Sequence, residues 1–186
     1  SSDVWSSDLL VVTTSVSGNT IETFNTLKSS QKSTCQTLAF CSGGNIENFC
    51  KNNNIEYRIV TKNHSPRASL PNFVYSILKV LQPILPITTN EIFESIESLE
   101  KTAVLISSKN LTDDNPALDL ASWMKNFPII YYPWGLQAAA IRFKNSLNEN
   151  SKLPAFSEDV IEACHNNIVS WESNPSISPD RKSTRL

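Results

Sequence analysis

The sequence has little of what several large classes of protein require. No apolar run approaches the ~20 residues that a membrane-spanning helix needs, and Lys and Arg form no run in a chain of net charge −2. Glycine is scarce, at 4 of 186 residues, and the turn after the first apolar stretch has one glycine and no lysine. That turn is therefore neither a dinucleotide fingerprint nor a Walker-type phosphate loop. We expect no membrane and no nucleic acid among the partners.

The few cysteines and histidines limit the chemistry further. The 4 cysteines have no Cys-x-x-Cys spacing, and we interpret them as reduced thiols, most of them buried. His64 and His165 do not lie at metal-ligand spacing, so no metal is expected. The first eight residues are polar and carry two aspartates, unlike a signal peptide. These features favour a cytoplasmic protein.

Short apolar runs alternate with amphipathic segments through the first half of the chain. The predicted strands are Leu9–Val12, Cys35–Cys41 and Ile55–Val60, and the predicted helices between them are Thr20–Lys32 and Asn45–Asn52. Strands and helices that alternate at this pace form βαβ units, which build a parallel sheet with right-handed crossovers. The sequence therefore predicts an α/β fold whose ligands bind at the carboxyl ends of the strands.

A proline-rich break divides the chain. A predicted helix over residues 68–82 stops at residues 83–86 (PILP), because proline interrupts a helix. We place the domain boundary here, with one subdomain at residues 1–85 and a second at residues 86–172. The second contains predicted helices over 89–106, 117–126, 136–147 and 160–164 and a strand over 128–132. Residues 173–186 lack periodicity and are predicted to be a disordered tail.

The turn after the first strand is dense in hydroxyl groups. Residues 11–23 read VVTTSVSGNTIET, which is a strand end, a polar turn and the start of a helix. The unpaired N–H groups of a helix's first turn, together with the helix dipole, attract an anion. Ser15, Ser17 and Thr20 add three hydroxyls that can donate to phosphate oxygens. Helix capping by Ser and Thr explains the same residues without a ligand, so a phosphate-ester site and simple caps remain alternatives on these residues alone.

Four stretches of the chain, taken in sequence order, resemble motifs of known protein families. The wording of residues 15–20 (SVSGNT) is similar to the phosphate loop of the sugar isomerase (SIS) fold. Three later segments resemble motifs of the archaeal and bacterial bifunctional phosphoglucose/phosphomannose isomerases: residues 65–70 (SPRASL), 142–156 (RFKNSLNENSKLPAF) and 162–172 (EACHNNIVSWE). The resemblance to this family covers about residues 8–172.

The resemblance implies parallel sheets flanked by helices, arranged as SIS-type tandem subdomains. The implied reaction is an aldose–ketose isomerisation of glucose 6-phosphate, and of mannose 6-phosphate as a second substrate, to fructose 6-phosphate through a cis-enediolate. It belongs to glycolysis and gluconeogenesis and uses neither a metal nor an organic cofactor. By analogy, a homodimer shares its active sites between subunits. The implied phosphate-binding residues are Ser15, Ser17 and Thr20, and the implied catalytic residues are Glu149 as base, His165 for ring opening and Arg67.

The sequence departs from the family pattern at three positions and at both ends. Ser151 stands where the family prefers alanine, Asn167 where it prefers glutamate, and Ser170 where it prefers glycine. The family's glycine-rich segment before the phosphate loop and its carboxyl-terminal helix with a lysine have no counterpart. We therefore expect an internal fragment of a longer enzyme, with the first subdomain truncated at its amino end, and isolation can leave it inactive.

Two other functions remain open. A non-catalytic SIS module that binds a phosphosugar for regulation would keep Ser15, Ser17 and Thr20 without needing Glu149 and His165 together. An enzyme of the amino-sugar branch of the same fold would act on glucosamine 6-phosphate.

Overall fold

The computed structural model describes residues 9–173. Contacts between Cα atoms divide the chain into two compact units, Ser1–Leu99 and Glu100–Leu186. The subdomain assignment at residues 1–85 and 86–172 stays a prediction. The predicted tail falls on residues 174–186, outside the described residues, except that residue 173 ends a helix.

The first unit contains a three-stranded parallel sheet in the order β1-β2-β3. Leu10 pairs with Gln36 at one end of the register and Ser15 with Cys41 at the other. The α/β fold with a parallel sheet flanked by helices is thereby confirmed for this unit. Its elements are β1 (Leu10–Ser15), α1 (Ile21–Ser30), β2 (Gln36–Cys41), α2 (Gly44–Asn52) and β3 (Glu56–Ile59).

The central strand β2 is buried on both faces. Its alternate side chains enter two core clusters: Ala39 and Cys41 pack with the helices α1 and α2, whereas Leu38 and Phe40 pack with α3 (Leu70–Leu81). A strand that is covered on both sides has to be apolar at consecutive positions, which is why this segment was recognisable. The sheet is therefore a middle layer between helices.

The helix α4 (Thr89–Leu105) begins with a capping box. Thr88 donates its backbone N–H and its hydroxyl to Glu91 Oε2, at 2.8 and 2.7 Å, and its hydroxyl accepts from the Glu91 N–H at 3.2 Å. The reciprocal bonds satisfy donors that a helix start leaves unpaired. No helix within residues 9–173 has the length and apolar character needed to cross a membrane.

The second unit has a smaller sheet of two parallel strands. Its strands and helices are α5 (Pro116–Trp123), β4 (Ile129–Tyr132), α6 (Gln137–Ser146), β5 (Phe156–Asp159), α7 (Val160–Glu162) and α8 (Ile168–Ser173). Two π-helical segments, Leu147–Ser151 and Ala163–Asn167, continue α6 and α7. The sequence reading missed β5 as a paired strand and ended the last helix too early. A tandem arrangement of two SIS subdomains stays a prediction.

Candidate functional site

The hydroxyl-rich turn lies where β1 ends and α1 begins. Ser15 is buried, and its Oγ accepts from the Gly18 N–H at 3.0 Å and lies 2.8 Å from Thr20 Oγ1. Thr20 is the N-cap of α1, yet its hydroxyl makes no cap hydrogen bond to the helix. The Ser15 hydroxyl therefore shapes the turn from within, and simple capping of α1 does not account for Thr20.

Ser17 and Thr20 are the exposed hydroxyls of this turn. Ser17 Oγ accepts from the Asn19 N–H at 3.1 Å, so its proton stays available to an incoming acceptor. The first amides of α1 have no intrahelical carbonyl to bond. Hydroxyl donors and helix amides thus converge on one spot, which suits a phosphate monoester. The assignment of Ser15, Ser17 and Thr20 to phosphate binding stays a prediction.

A second turn, between β2 and α2, packs directly against the first. Gly18 has a φ of +68°, and a Cβ placed there would lie 1.7 Å from the carbonyl oxygen of Gly43. Gly44, at φ +76°, approaches the first turn less closely, with a distance of 2.8 Å from a Cβ placed there to the Gly18 oxygen. The carbonyl of Gly18 accepts from the Ile46 N–H at 2.9 Å. The sequence reading took this second turn for a connection only, although two adjacent glycines after a buried strand signal a close backbone approach.

Arg67 lies in a short 3₁₀ turn, Arg67–Ser69, beyond the carboxyl end of β3. The turn is held by side chains: Ser69 is fully buried, donates to the Ser65 carbonyl at 3.0 Å and accepts from the Asn63 N–H at 2.9 Å. Because the strands are parallel, this turn and the one after β1 lie at the same edge of the sheet. The carboxyl ends of β1 and β3 are two strand spacings apart, about 10 Å, and the exposed Arg67 lies eight residues beyond the end of β3. The assignment of Arg67 to the catalytic site stays a prediction.

Cys41 closes β2 beneath the second turn. Burial raises the pKa of the Cys41 thiol, an effect that a hydrogen bond with the Gly43 backbone partly offsets and the charge of Glu47 reinforces. The thiol is therefore neutral at physiological pH and is no nucleophile. It serves as a small apolar side chain under the candidate site.

Glu149 lies in the first π-helical segment, exposed to solvent. Lys152 ends the segment with a left-handed φ of +57° and donates its Nζ to the Glu149 carbonyl at 2.8 Å. Asn148 Oδ1 accepts from the Ala155 N–H at 2.8 Å, which ties the segment to the chain entering β5. π-Helical turns are rare and occur frequently at functional sites.

His165 lies in the second π-helical segment and is also exposed. The side-chain amide of Asn167 donates to Glu158 Oε2. This contact fastens the segment that carries His165 to the strand β5. The indole of Trp171 donates to the Tyr131 hydroxyl at 3.3 Å, which holds the following helix α8 to β4. Asn167, one of the departures from the family pattern, thus has a defined partner in this chain.

The chain path separates Glu149 from His165. Glu149 follows α6, which returns from the carboxyl edge of the sheet to its amino edge, and His165 comes after β5 has reached the carboxyl edge again. The strand between them spans about 13 Å. Ser17, Thr20 and Arg67 share one sheet edge in the first unit, whereas the joint action of Glu149 and His165 stays a prediction. Within residues 9–173, no three His, Cys, Asp or Glu side chains are grouped as a metal site requires.

Known proteins resemble the chain in fold and in sequence. The structure of the C-terminal domain of glucosamine-fructose-6-phosphate aminotransferase from Francisella tularensis matches with a TM-score of 0.59 at 19% identity, over 87% of this chain and 48% of that one. At this identity the match shows the fold alone, an α/β fold of the SIS type with a parallel sheet flanked by helices.

Within that class, the sequence relatives are more specific. Residues 113–182 match the family model of the bacterial phospho-glucose isomerase C-terminal SIS domain. The bifunctional phosphoglucose/phosphomannose isomerase of Caldicellulosiruptor bescii is 29% identical over 180 residues, covering 90% of this chain and 50% of the relative. That of Pyrobaculum calidifontis is 26% identical over 171 residues, covering 92% and 51%. The resemblance to this isomerase family is confirmed, and the chain spans about half the length of these curated relatives.

Proposed function

We propose that the chain forms part of an aldose–ketose isomerase that interconverts glucose 6-phosphate with fructose 6-phosphate, with mannose 6-phosphate as a second substrate. Relatives that carry this name align with about nine-tenths of the chain, which supports a phosphosugar substrate. The observation that carries the proposal is the turn between β1 and α1. It holds two exposed hydroxyls, Ser17 and Thr20, over a helix start.

Three side chains divide the reaction in this proposal. His165 moves the proton that opens the sugar ring, a role that suits imidazole because its ordinary pKa lies near ~6.5. The Glu149 carboxylate takes the proton from C2 and returns it to C1, so that a cis-enediolate lies between the two sugars. The Arg67 guanidinium stabilises the negative charge that develops on the enediolate oxygen. No metal or organic cofactor takes part.

We further propose that two copies of the chain complete each active site. The chain between Glu149 and His165 includes the whole of β5. This separation supports an arrangement in which the Glu149 and the His165 of one copy act on two different substrate molecules. A homodimer whose sites take one residue from each subunit resolves this separation. The partners are then a hexose 6-phosphate and a second copy, in the cytoplasm.

Exchange of the C2 proton of glucose 6-phosphate with deuterated water tests the proposal. The full-length protein that contains this chain should bind the sugar and exchange the proton, and Glu149→Gln in that protein should retain binding while losing exchange. The matched control is Glu94→Gln, an exposed glutamate of α4, which should change neither. Exchange that persists in Glu149→Gln would exclude this residue as the base.

Other outcomes point to other functions. Tight binding of glucose 6-phosphate by the full-length protein without exchange would favour a non-catalytic SIS module. Turnover of glucosamine 6-phosphate with no effect on glucose 6-phosphate would favour the amino-sugar branch. Failure to bind any of these phosphosugars would overturn the proposal.

A further inference from the structure

Asn19 makes three hydrogen bonds at the centre of the two packed turns. Its side-chain Oδ1 accepts from the Asn45 N–H at 3.0 Å, and its Nδ2 donates to the Ser17 carbonyl at 3.2 Å. Its backbone N–H donates to Ser17 Oγ at 3.1 Å. One asparagine therefore connects both the backbone and the hydroxyl of Ser17 to the start of α2.

The start of α2 gains its partners from the first turn. The N-cap of α2, Gly43, has no side chain to offer, and no side-chain cap is formed there. Asn19 Oδ1 takes the Asn45 N–H, and the Gly18 carbonyl takes the Ile46 N–H. These amides are among those that a helix start leaves unpaired. The first turn is consequently held by the helix α2, which packs into the hydrophobic core through Ile46 and Cys50.

Ser17 needs such support because little else holds it. Its side chain is exposed, and the next residue is Gly18, whose positive φ no L-residue adopts readily. A serine side chain can occupy any of three staggered rotamers about its Cα–Cβ bond, so the direction of its hydroxyl depends on local hydrogen bonds. The Asn19 N–H holds the Ser17 hydroxyl, and the Asn19 side chain holds the Ser17 carbonyl and so the backbone from which that hydroxyl projects.

We propose that Asn19 is a positioning residue of the phosphate turn, which sets the place and direction of the Ser17 hydroxyl without touching the ligand. This inference rests on the proposed phosphosugar function. An amide is required at this position because the same side chain must accept from Asn45 and donate to Ser17. A carboxylate can do only the first, and it would add a negative charge beside a phosphate, where Glu22 and Glu47 already occupy the first turns of α1 and α2.

The test compares variants of the whole chain in binding inorganic phosphate and glucose 6-phosphate, followed by amide chemical shifts. Asn19→Ala keeps the backbone N–H that donates to Ser17 Oγ and loses the two side-chain bonds, to the Ser17 carbonyl and from the Asn45 N–H. It should raise both dissociation constants about fivefold, because the backbone that carries the Ser17 hydroxyl is then no longer held to α2. Asn19→Asp should raise them more than about tenfold, because it also adds charge repulsion.

The matched control is Asn53→Ala. Asn53 is an exposed asparagine at the other end of α2, whose Nδ2 donates to the Phe49 carbonyl at 2.8 Å. It should lower the melting temperature about as much as Asn19→Ala does, yet leave phosphate affinity unchanged. In addition, hydrogen exchange at the Asn45 amide should accelerate in Asn19→Ala alone.

Each outcome decides a separate point. If the unaltered chain binds phosphate and Asn19→Ala binds it equally well, Asn19 has no positioning role. Equal weakening by Asn19→Ala and Asn53→Ala would mean that general destabilisation of α2 explains the effect, which also overturns the inference. Absence of phosphate binding by the unaltered chain would instead remove the proposed function, and with it the ligand that Asn19 serves.

Discussion

Replacement of Gly18 by alanine should break the contact between the two turns of the candidate site. The new Cβ would lie 1.7 Å from the Gly43 oxygen and 2.6 Å from its carbonyl carbon. Both are backbone atoms, which cannot rotate away as the end of a side chain can. Real Cβ contacts stay beyond about 3.0 Å, so the turns must separate by more than an ångström.

That separation sets the size of the effect. The hydrogen bonds Ile46 N–Gly18 O and Asn45 N–Asn19 Oδ1 measure 2.9 and 3.0 Å, and a further ångström takes both beyond bonding range. Each is worth about 1 kcal/mol. The left-handed φ costs an alanine about 1–2 kcal/mol more. The expected loss for Gly18→Ala is therefore about 3–4 kcal/mol in the free energy of unfolding of the first unit.

Gly135→Ala provides the matched control. Gly135 also has a positive φ, +87°, but a Cβ there would meet nothing within 4 Å. It should therefore cost only the backbone term, about 1–2 kcal/mol. Native-state hydrogen exchange measures each effect locally, at the amides of β2 for Gly18→Ala and at those of β4 for Gly135→Ala. Equal losses in the two variants would refute the reasoning, because the contact with Gly43 would then contribute nothing.

Three further predictions concern the active site, the start of α4 and the thiols. If each site takes one residue from each copy, a mixture of inactive Glu149→Gln and His165→Ala chains should recover about a quarter of the isomerase activity, since half of the dimers then contain one intact site; no recovery would contradict a shared site. The backbone and side-chain hydrogen bonds of the capping box hold the pKa of Glu91 below its ordinary value of 4.5. Its stabilising contribution is therefore present above that pH and lost as the pH falls through the lower folded-state value. The amide signals of the first turn of α4 should therefore report fraying only as the pH falls below 4.5, and a Glu91→Gln chain should lack this transition. Burial, reinforced by the neighbouring thiol, raises the pKa of Cys50 to about 11, whereas Cys164 is exposed; a maleimide at neutral pH should label Cys164 first, and early labelling of Cys50 in the folded chain would contradict the burial.

The sheet of the first unit could be predicted because its central strand, β2, can be recognised from its sequence. Residues 38–41 are apolar at consecutive positions since helices cover both faces of β2. The turn after β1 was also predictable as a turn dense in hydroxyl groups before a helix, because strand, hydroxyls and helix start are local features of the sequence; its role as a site stays a prediction. Its internal arrangement was not predictable. The Ser15 hydroxyl bonds within its own turn, to the Gly18 N–H and Thr20, whereas Asn19 reaches the Asn45 N–H because the glycine turn after β2 packs alongside.

The strands and helices of the second unit were harder to predict from the sequence. The segment FSED of β5 is short, with a polar run of Ser, Glu and Asp, so its composition does not distinguish a strand from a loop. Only its pairing with β4, Ile129 with Phe156 and Tyr132 with Asp159, makes it a strand. The last helix was cut short for a similar reason. Asn166 and Asn167 are weak helix formers, and the helix continues through them because the Asn167 side chain is bonded to Glu158.

The strand β5 also holds in place the two segments that carry the catalytic candidates Glu149 and His165. A π-helical turn is rare and short, and both of these turns are held in place by a side-chain contact with residues outside the helix. In both π-helical segments an asparagine does this, and in both the partner belongs to β5 or to its approach: Asn148 to the Ala155 N–H, Asn167 to Glu158. Glu149 is the neighbour of the first asparagine and His165 lies two residues before the second. The positions of Glu149 and His165 thus both depend on contacts with β5 or with its approach. A change that shifts β5 should therefore displace both side chains together.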